Sequence, residues 1–173
     1  MDAIVAYESL FGNTRRVAEA IADGMRRRCD VTVTSVAACT RESLAAADLL
    51  VVGGPTHIHG MTRPGTRKQT GVITEAMNAS GVREFLATLP DGHGKYAAAF
   101  DTRANGVRLF TGAVSRPIGR RLARKGYTLL HPCASFIVKG AKGPLLDGEI
   151  ERATAWGRFL AEQAGAGTSR KAA

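Results

Sequence analysis

The chain has 173 residues, enough for one domain with a proper buried core, and its 45% hydrophobic and 23% charged residues place it with soluble globular proteins. Its three cysteines, Cys29, Cys39 and Cys133, are odd in number and form no C-x-x-C pair, which argues against a disulfide framework or a zinc ribbon and for buried free thiols. The net charge of +9 is spread along the chain, and its densest clusters, Arg26–Arg28 and Arg120, Arg121, Arg124 and Lys125, have no interleaved aromatics that could stack on bases; this reads as a solvated basic face and disfavours a nucleic-acid partner.

The start, MDAIVAYESLFG, has no basic n-region, and its apolar run is too short to span a membrane, so a cytoplasmic chain with no membrane partner is expected. Ala3 to Tyr7 is a short apolar run and reads as a buried strand. Glu8 to Asn13 is a loop. From Thr14 the apolar residues recur at helical spacing through Val17, Ala20, Ile21, Gly24 and Met25. Val31, Val33 and Val36 lie in a second, β-branched stretch. Arg41 to Ala47 reads as a short helix that Thr40 can cap.

Asp48 to Gly53 is a third strand and Tyr96 to Phe100 a fourth. Between them runs a long connection, Pro55 to Ser80, with a helical turn expected over Thr74 to Asn78. It leads to a helix holding Val82, Phe85 and Leu86. Long loops in compact domains are often functional. Ala113 to Lys125 is helical, with Pro117 tolerable in the first turn of a helix starting near Ser115. Ser135 to Lys139 belongs to a fifth strand, and Glu149 to Glu162 is a last helix. Strands that alternate with helices and are apolar on both faces predict a doubly wound parallel α/β sheet with right-handed crossovers. Residues 1–165 form the domain, and residues 166–173 are expected to be a mobile tail.

In an open α/β sheet, ligands bind outside the carboxyl ends of the strands. Three segments meet there: Glu8 to Thr14, Gly54 to Pro64, and Asp101 to Gly112. In the first, Ser9, Asn13 and Thr14 supply polar groups, Gly12 lets the backbone approach closely, and the following helix offers free N–H groups and a positive dipole end. These are the parts of a phosphate cradle, and equally of a plain helix cap. No lysine or metal ligand is in the motif, so it suits a monophosphate. G-x-x-x-x-G-K-[ST] and G-x-G-x-x-G are both missing, which excludes a P-loop and a dinucleotide fingerprint. The third strand ends Val52-Gly53-Gly54-Pro55, without the aspartate of a receiver domain, and the first loop has no nucleophilic cysteine.

The string IVAYESLFGNTRRVAEAIADGM resembles the first β-loop-α unit of the flavodoxin family. GGPTHIHGM resembles its second flavin loop, DTRANGVRLFTGAV its third, and GPLLDGEIERATAWG the end of flavodoxin-like proteins of high-GC bacteria. The resemblance covers Asp2 to Glu162. It implies a flavodoxin-like five-stranded sheet of order 2-1-3-4-5 and FMN as cofactor. It also implies that Ser9, Phe11, Gly12, Asn13 and Thr14 hold the phosphate. Pro55, Thr56, His57, Ile58, His59 and Gly60 would then lie beside the isoalloxazine ring, with Asp101, Thr102 and Arg103 on its other side.

Three departures from the family pattern matter. Phe11 stands where the family usually has Thr or Ser. Neither flavin loop offers a Trp or Tyr to sandwich the ring, a loss of roughly 0.5–1.5 kcal/mol that implies weaker FMN binding. The familiar flavodoxins are acidic, whereas Arg63, Arg67, Lys68, Arg103 and Arg108 line these loops. A cation about 8 Å from a reduced, anionic flavin contributes roughly 2 kcal/mol at an effective dielectric near 20, which implies a raised potential. The resemblance thus implies an electron-transfer protein. The alternatives are an FMN-dependent quinone or nicotinamide-linked oxidoreductase, and a basic interaction module with a decayed flavin site. The basic rim suggests an acidic redox partner or a small anionic substrate. His57 and His59 alone make a poor metal site, so no metal is expected. His93 and His131 are assigned to the surface or to structure.

Overall fold

The apolar runs become the inner strands of one parallel sheet. In the computed structural model, which describes residues 1–56, 61, 81–105, 113–140 and 142–171, β1 (Asp2–Tyr7) pairs with β2 (Asp30–Ser35) on one side and with β3 (Leu49–Pro55) on the other. β3 pairs in turn with β4 (Tyr96–Ala104). The strand order is 2-1-3-4-5 and every pairing is parallel. Leu49 to Val52 and Ala97 to Phe100 are buried, as strands covered on both faces must be. β2, at the edge, is only half-buried.

The fifth position is filled by two segments where the sequence reading placed one strand over Ser135 to Lys139. β5 (Thr128–Leu129) pairs with Tyr96 and Ala97, and β6 (Ala134–Val138) pairs with Phe100 to Ala104. His131-Pro132 lies between them. Proline brings no N–H to a ladder and restricts the residue before it, so the pairing breaks there and resumes.

Helices α1 (Asn13–Met25) and α5 (Glu149–Lys171) cover one face of the sheet. Helices α2 (Arg41–Ala46), α3 (Val82–Thr88) and α4 (Ser115–Arg124) cover the other. Thr40 caps α2, its hydroxyl accepting from the Ser43 N–H at 3.2 Å. Pro117 falls in the first turn of α4, where its missing N–H costs nothing. Beneath α5 the fully buried Phe100 meets Phe136 and Trp156 edge-on, with ring centroids 6.1 and 6.4 Å away; such a ring contributes about 1.5–3 kcal/mol by burial.

α1 and α5 cross at two glycines. A Cβ on Gly24 would lie 2.0 Å from the Thr154 carbonyl oxygen, and one on Gly157 would lie 2.0 Å from that of Ile21. The crossing anchors α5, which is longer than the Glu149 to Glu162 read from periodicity. Residues 166–171, set apart as a tail on composition, continue the helix. Ala164 is buried and Gly167 lies against the Tyr96 ring; small residues carry little hydropathy signal, yet they let a helix end pack closely. The three cysteines are free, and burial raises each thiol pKa. No described helix is long and apolar enough to cross a membrane.

Candidate cofactor site

The register of the sheet sets the ends of β1, β3 and β4 side by side. Tyr7 is opposite Gly53, Gly54 opposite Asp101, and Pro55 opposite Thr102. The loop after β1 therefore lies beside the beginnings of the other two. Within it Gly12 adopts φ +83°, a left-handed turn that glycine takes without strain. Gly12 is the N-cap of α1 and supplies no side-chain cap; the first turn contains no acidic residue. The earliest N–H with an intrahelical acceptor is that of Arg16, bonded to the Gly12 carbonyl at 3.0 Å. The N–H groups before it are left for an outside acceptor. A Cβ on Gly12 would meet nothing within 4 Å, so the approach is open.

The Ser9 hydroxyl adds to this. It is buried, and among the described residues nothing hydrogen-bonds to it. A buried, unsatisfied hydroxyl is costly unless something fills its place. Together with open helix N–H groups and the positive dipole end, it supplies the groups that a phosphate cradle needs. The residues present therefore fit the phosphate of FMN.

Thr14 and Thr102 are both buried, and their hydroxyl oxygens lie 2.7 Å apart. They tie the first loop to the third. The Thr56 N–H donates to the Thr102 carbonyl at 2.8 Å, and its hydroxyl accepts from the Val114 N–H at 3.2 Å. Thr56 thereby joins the second loop to both ends of the third. Phe11 is half-buried and supplies an aromatic face where a hydroxyl was expected.

Asp101 is placed differently from its companions. Its side chain is fully buried, and Oδ2 accepts from the Ser115 N–H at 2.8 Å, so it caps α4. Burial raises its pKa, while the Ser115 N–H, the Ser115 and Ser135 hydroxyls and the Arg103 charge act in the opposite direction. Glu8 does the same for α3, accepting from the Val82 N–H at 2.8 Å. One oxygen of each carboxylate at the strand ends thus accepts from a helix start, while Asp101 Oδ1 is buried with no hydrogen-bond partner among the described residues. Arg103 is half-buried in β4, opposite Ile137.

His57, Ile58, His59 and Gly60 lie outside the described residues, as do the turn over Thr74 to Asn78 and Arg63, Arg67, Lys68 and Arg108. Met61 is buried in the core on the face covered by α2, α3 and α4. His93 bonds Asp91 at 2.5 Å at the surface, and the His131 ring packs edge-on to Phe159 at 4.9 Å, both as assigned. Among the described residues no group of three or more His, Cys, Asp or Glu is placed to hold a metal.

A fourth segment, which the sequence reading did not include, closes on the first loop. The turn between β6 and α5 brings its backbone against Asn13, whose Nδ2 donates to the Lys142 carbonyl at 2.9 Å. The Lys142 ammonium stands 5.9 Å from the Phe11 ring centroid. The sequence signal was Gly140 and Gly143 on either side of the lysine, immediately after an apolar strand.

This architecture defines an open, doubly wound α/β protein whose ligand-binding end lies outside the carboxyl ends of β1, β3 and β4. The comparisons agree. A family model described as a flavodoxin domain matches residues 4–124. The chain belongs to the flavodoxin family, whose members bind FMN and transfer electrons. Among solved structures, a flavodoxin from the domain Archaea is 25% identical, with a TM-score of 0.69 over 95% of this chain and 99% of that one. Oxidised flavodoxin 2 from Bacillus cereus is 19% identical, with a TM-score of 0.70 over 94% and 99%. A WrbA-like flavodoxin from Agrobacterium tumefaciens is 22% identical, with a TM-score of 0.62 over 94% and 96%. No curated protein matches the sequence.

Proposed function

We propose that this protein is an FMN-dependent electron carrier, with the FMN phosphate held by the loop from Ser9 to Thr14 and the ring between the loops that begin at Pro55 and Asp101. The observation that carries the reading is the buried Ser9 hydroxyl, which nothing in the described protein satisfies, beside the open N-terminus of α1. FMN would supply the redox chemistry. The protein's part is to bind and orient it. Ser9 and the first N–H groups of α1 hold the phosphate, and Thr14, Thr102 and Thr56 fix the three loops relative to one another.

The carrier reading is favoured over a reductase by what the site does with its acids. Glu8 and Asp101, the carboxylates at its strand ends, are both buried helix caps. Neither is placed as a general acid for a bound substrate, and electron transfer needs none. The basic balance of the chain, +9, suits an acidic redox partner, and a cytoplasmic setting suits a free carrier. The test is to load the protein with FMN, reduce and reoxidise it chemically, and then assay turnover with a reduced nicotinamide and a quinone. Reversible reduction without appreciable turnover supports the carrier; steady turnover with both substrates overturns it in favour of the oxidoreductase.

A further inference from the structure

The phosphate loop itself contains no cation, yet the turn between β6 and α5 brings one to it. Asn13 is the first residue of α1, so its backbone N–H is one of those open to a phosphate. Its side chain holds the Lys142 carbonyl at 2.9 Å. The next residue, Gly143, has φ +101°, and a Cβ there would lie 2.5 Å from Asn13 Nδ2. Only glycine permits this approach, so the backbone of residue 142 is fixed against the start of the helix. From there the lysine ammonium stands over the Phe11 ring, 5.9 Å from its centroid. Among the described residues its ammonium forms no salt bridge.

We infer that Lys142 is a binding residue for the phosphate of FMN: a cation delivered by the turn after β6 that takes over from the hydroxyl missing at Phe11. The inference rests on the proposed FMN site and adds to it a residue from outside the phosphate loop. A lysine acts on phosphate as a mobile point charge, and the Asn13 bond to its carbonyl and the place of its ammonium over Phe11 keep that charge near residues 11–13. The contribution is electrostatic, so it weakens with salt, and it is specific to the phosphate, so it is absent for riboflavin.

The test is fluorescence titration of the full chain with FMN and, separately, riboflavin, at low and at high ionic strength. Lys142→Met keeps the apolar stem, and Lys142→Arg keeps the charge. The expected result is a roughly ten-fold loss of FMN affinity in Lys142→Met, a difference of about 1.4 kcal/mol. That loss shrinks at high salt, riboflavin affinity is unchanged, and Lys142→Arg restores most of it. Equal losses for FMN and riboflavin would mean that the lysine only holds the turn, and would overturn the inference. So would unchanged FMN affinity in Lys142→Met. Wild-type protein that binds neither flavin would remove the proposed function, and this inference with it.

Discussion

The hydroxyl oxygens of Thr14 and Thr102 lie 2.7 Å apart, 88 residues apart in sequence, and join the start of α1 to the end of β4. Both residues are buried, so removing one hydroxyl strands the other. Thr14→Val and Thr102→Val should each cost about 1–3 kcal/mol. The double variant should cost less than the sum, with a coupling of about 1 kcal/mol. Urea denaturation of the four proteins checks this; additive losses would show that the contact carries no energy.

Asp101 makes stability depend on pH. Burial raises its folded pKa above the ordinary 3.8, so the folded protein binds the proton more tightly than the unfolded chain does. Stability from this group is then full below 3.8 and falls as pH rises from there through the folded pKa. Asp101→Asn keeps an oxygen acceptor for the Ser115 N–H and cannot ionise. Its stability relative to wild type should therefore improve as pH rises above 3.8, measured by thermal denaturation across pH. A parallel pH dependence in the two proteins would contradict the assignment.

Gly157 sits where a Cβ would lie 2.0 Å from the Ile21 carbonyl oxygen. Gly157→Ala must push α5 away from α1, and backbone cannot yield as a side-chain tip can. A loss of about 1–3 kcal/mol is expected, against the gain in helix propensity that alanine brings elsewhere. Chemical denaturation measures it.

Arg103 places a positive charge in β4 at the third loop. Arg103→Gln should lower the reduction potential of the bound flavin, because added negative charge loses a nearby cation, with an upper bound of roughly 2 kcal/mol. Redox titration of the two FMN-loaded proteins checks the sign; a higher potential in the variant would contradict it.

Much of this was legible in the sequence. The runs AIVAY and LLVVG are apolar on successive residues, short and rich in β-branched side chains, as strands covered on both faces are, and they form the central sheet. Ser9 to Thr14 could be read because local spacing places small polar residues and a glycine at a helix start. What could not be read was tertiary. The role of Asp101 depends on Ser115 arriving beside it, and the broken fifth strand depends on how β4 is shared. Lys142 became part of the site only because Gly143 lets a distant turn press on Asn13. The small residues Ala164 and Gly167 extend α5 through packing, which periodicity does not register.

The central claim is that the loop from Ser9 to Thr14 holds the phosphate of FMN, and Ser9→Ala tests it most directly. The Ser9 hydroxyl bonds nothing among the described residues, so its loss should leave the melting temperature of the flavin-free protein unchanged or raise it. FMN binding should weaken by about 1.5–3 kcal/mol, the range for a hydrogen bond to a charged group, while riboflavin binding stays the same. One-to-one FMN binding with that selective loss is the predicted result. Unaltered FMN affinity in Ser9→Ala, or no saturable binding to the wild type, would contradict the account.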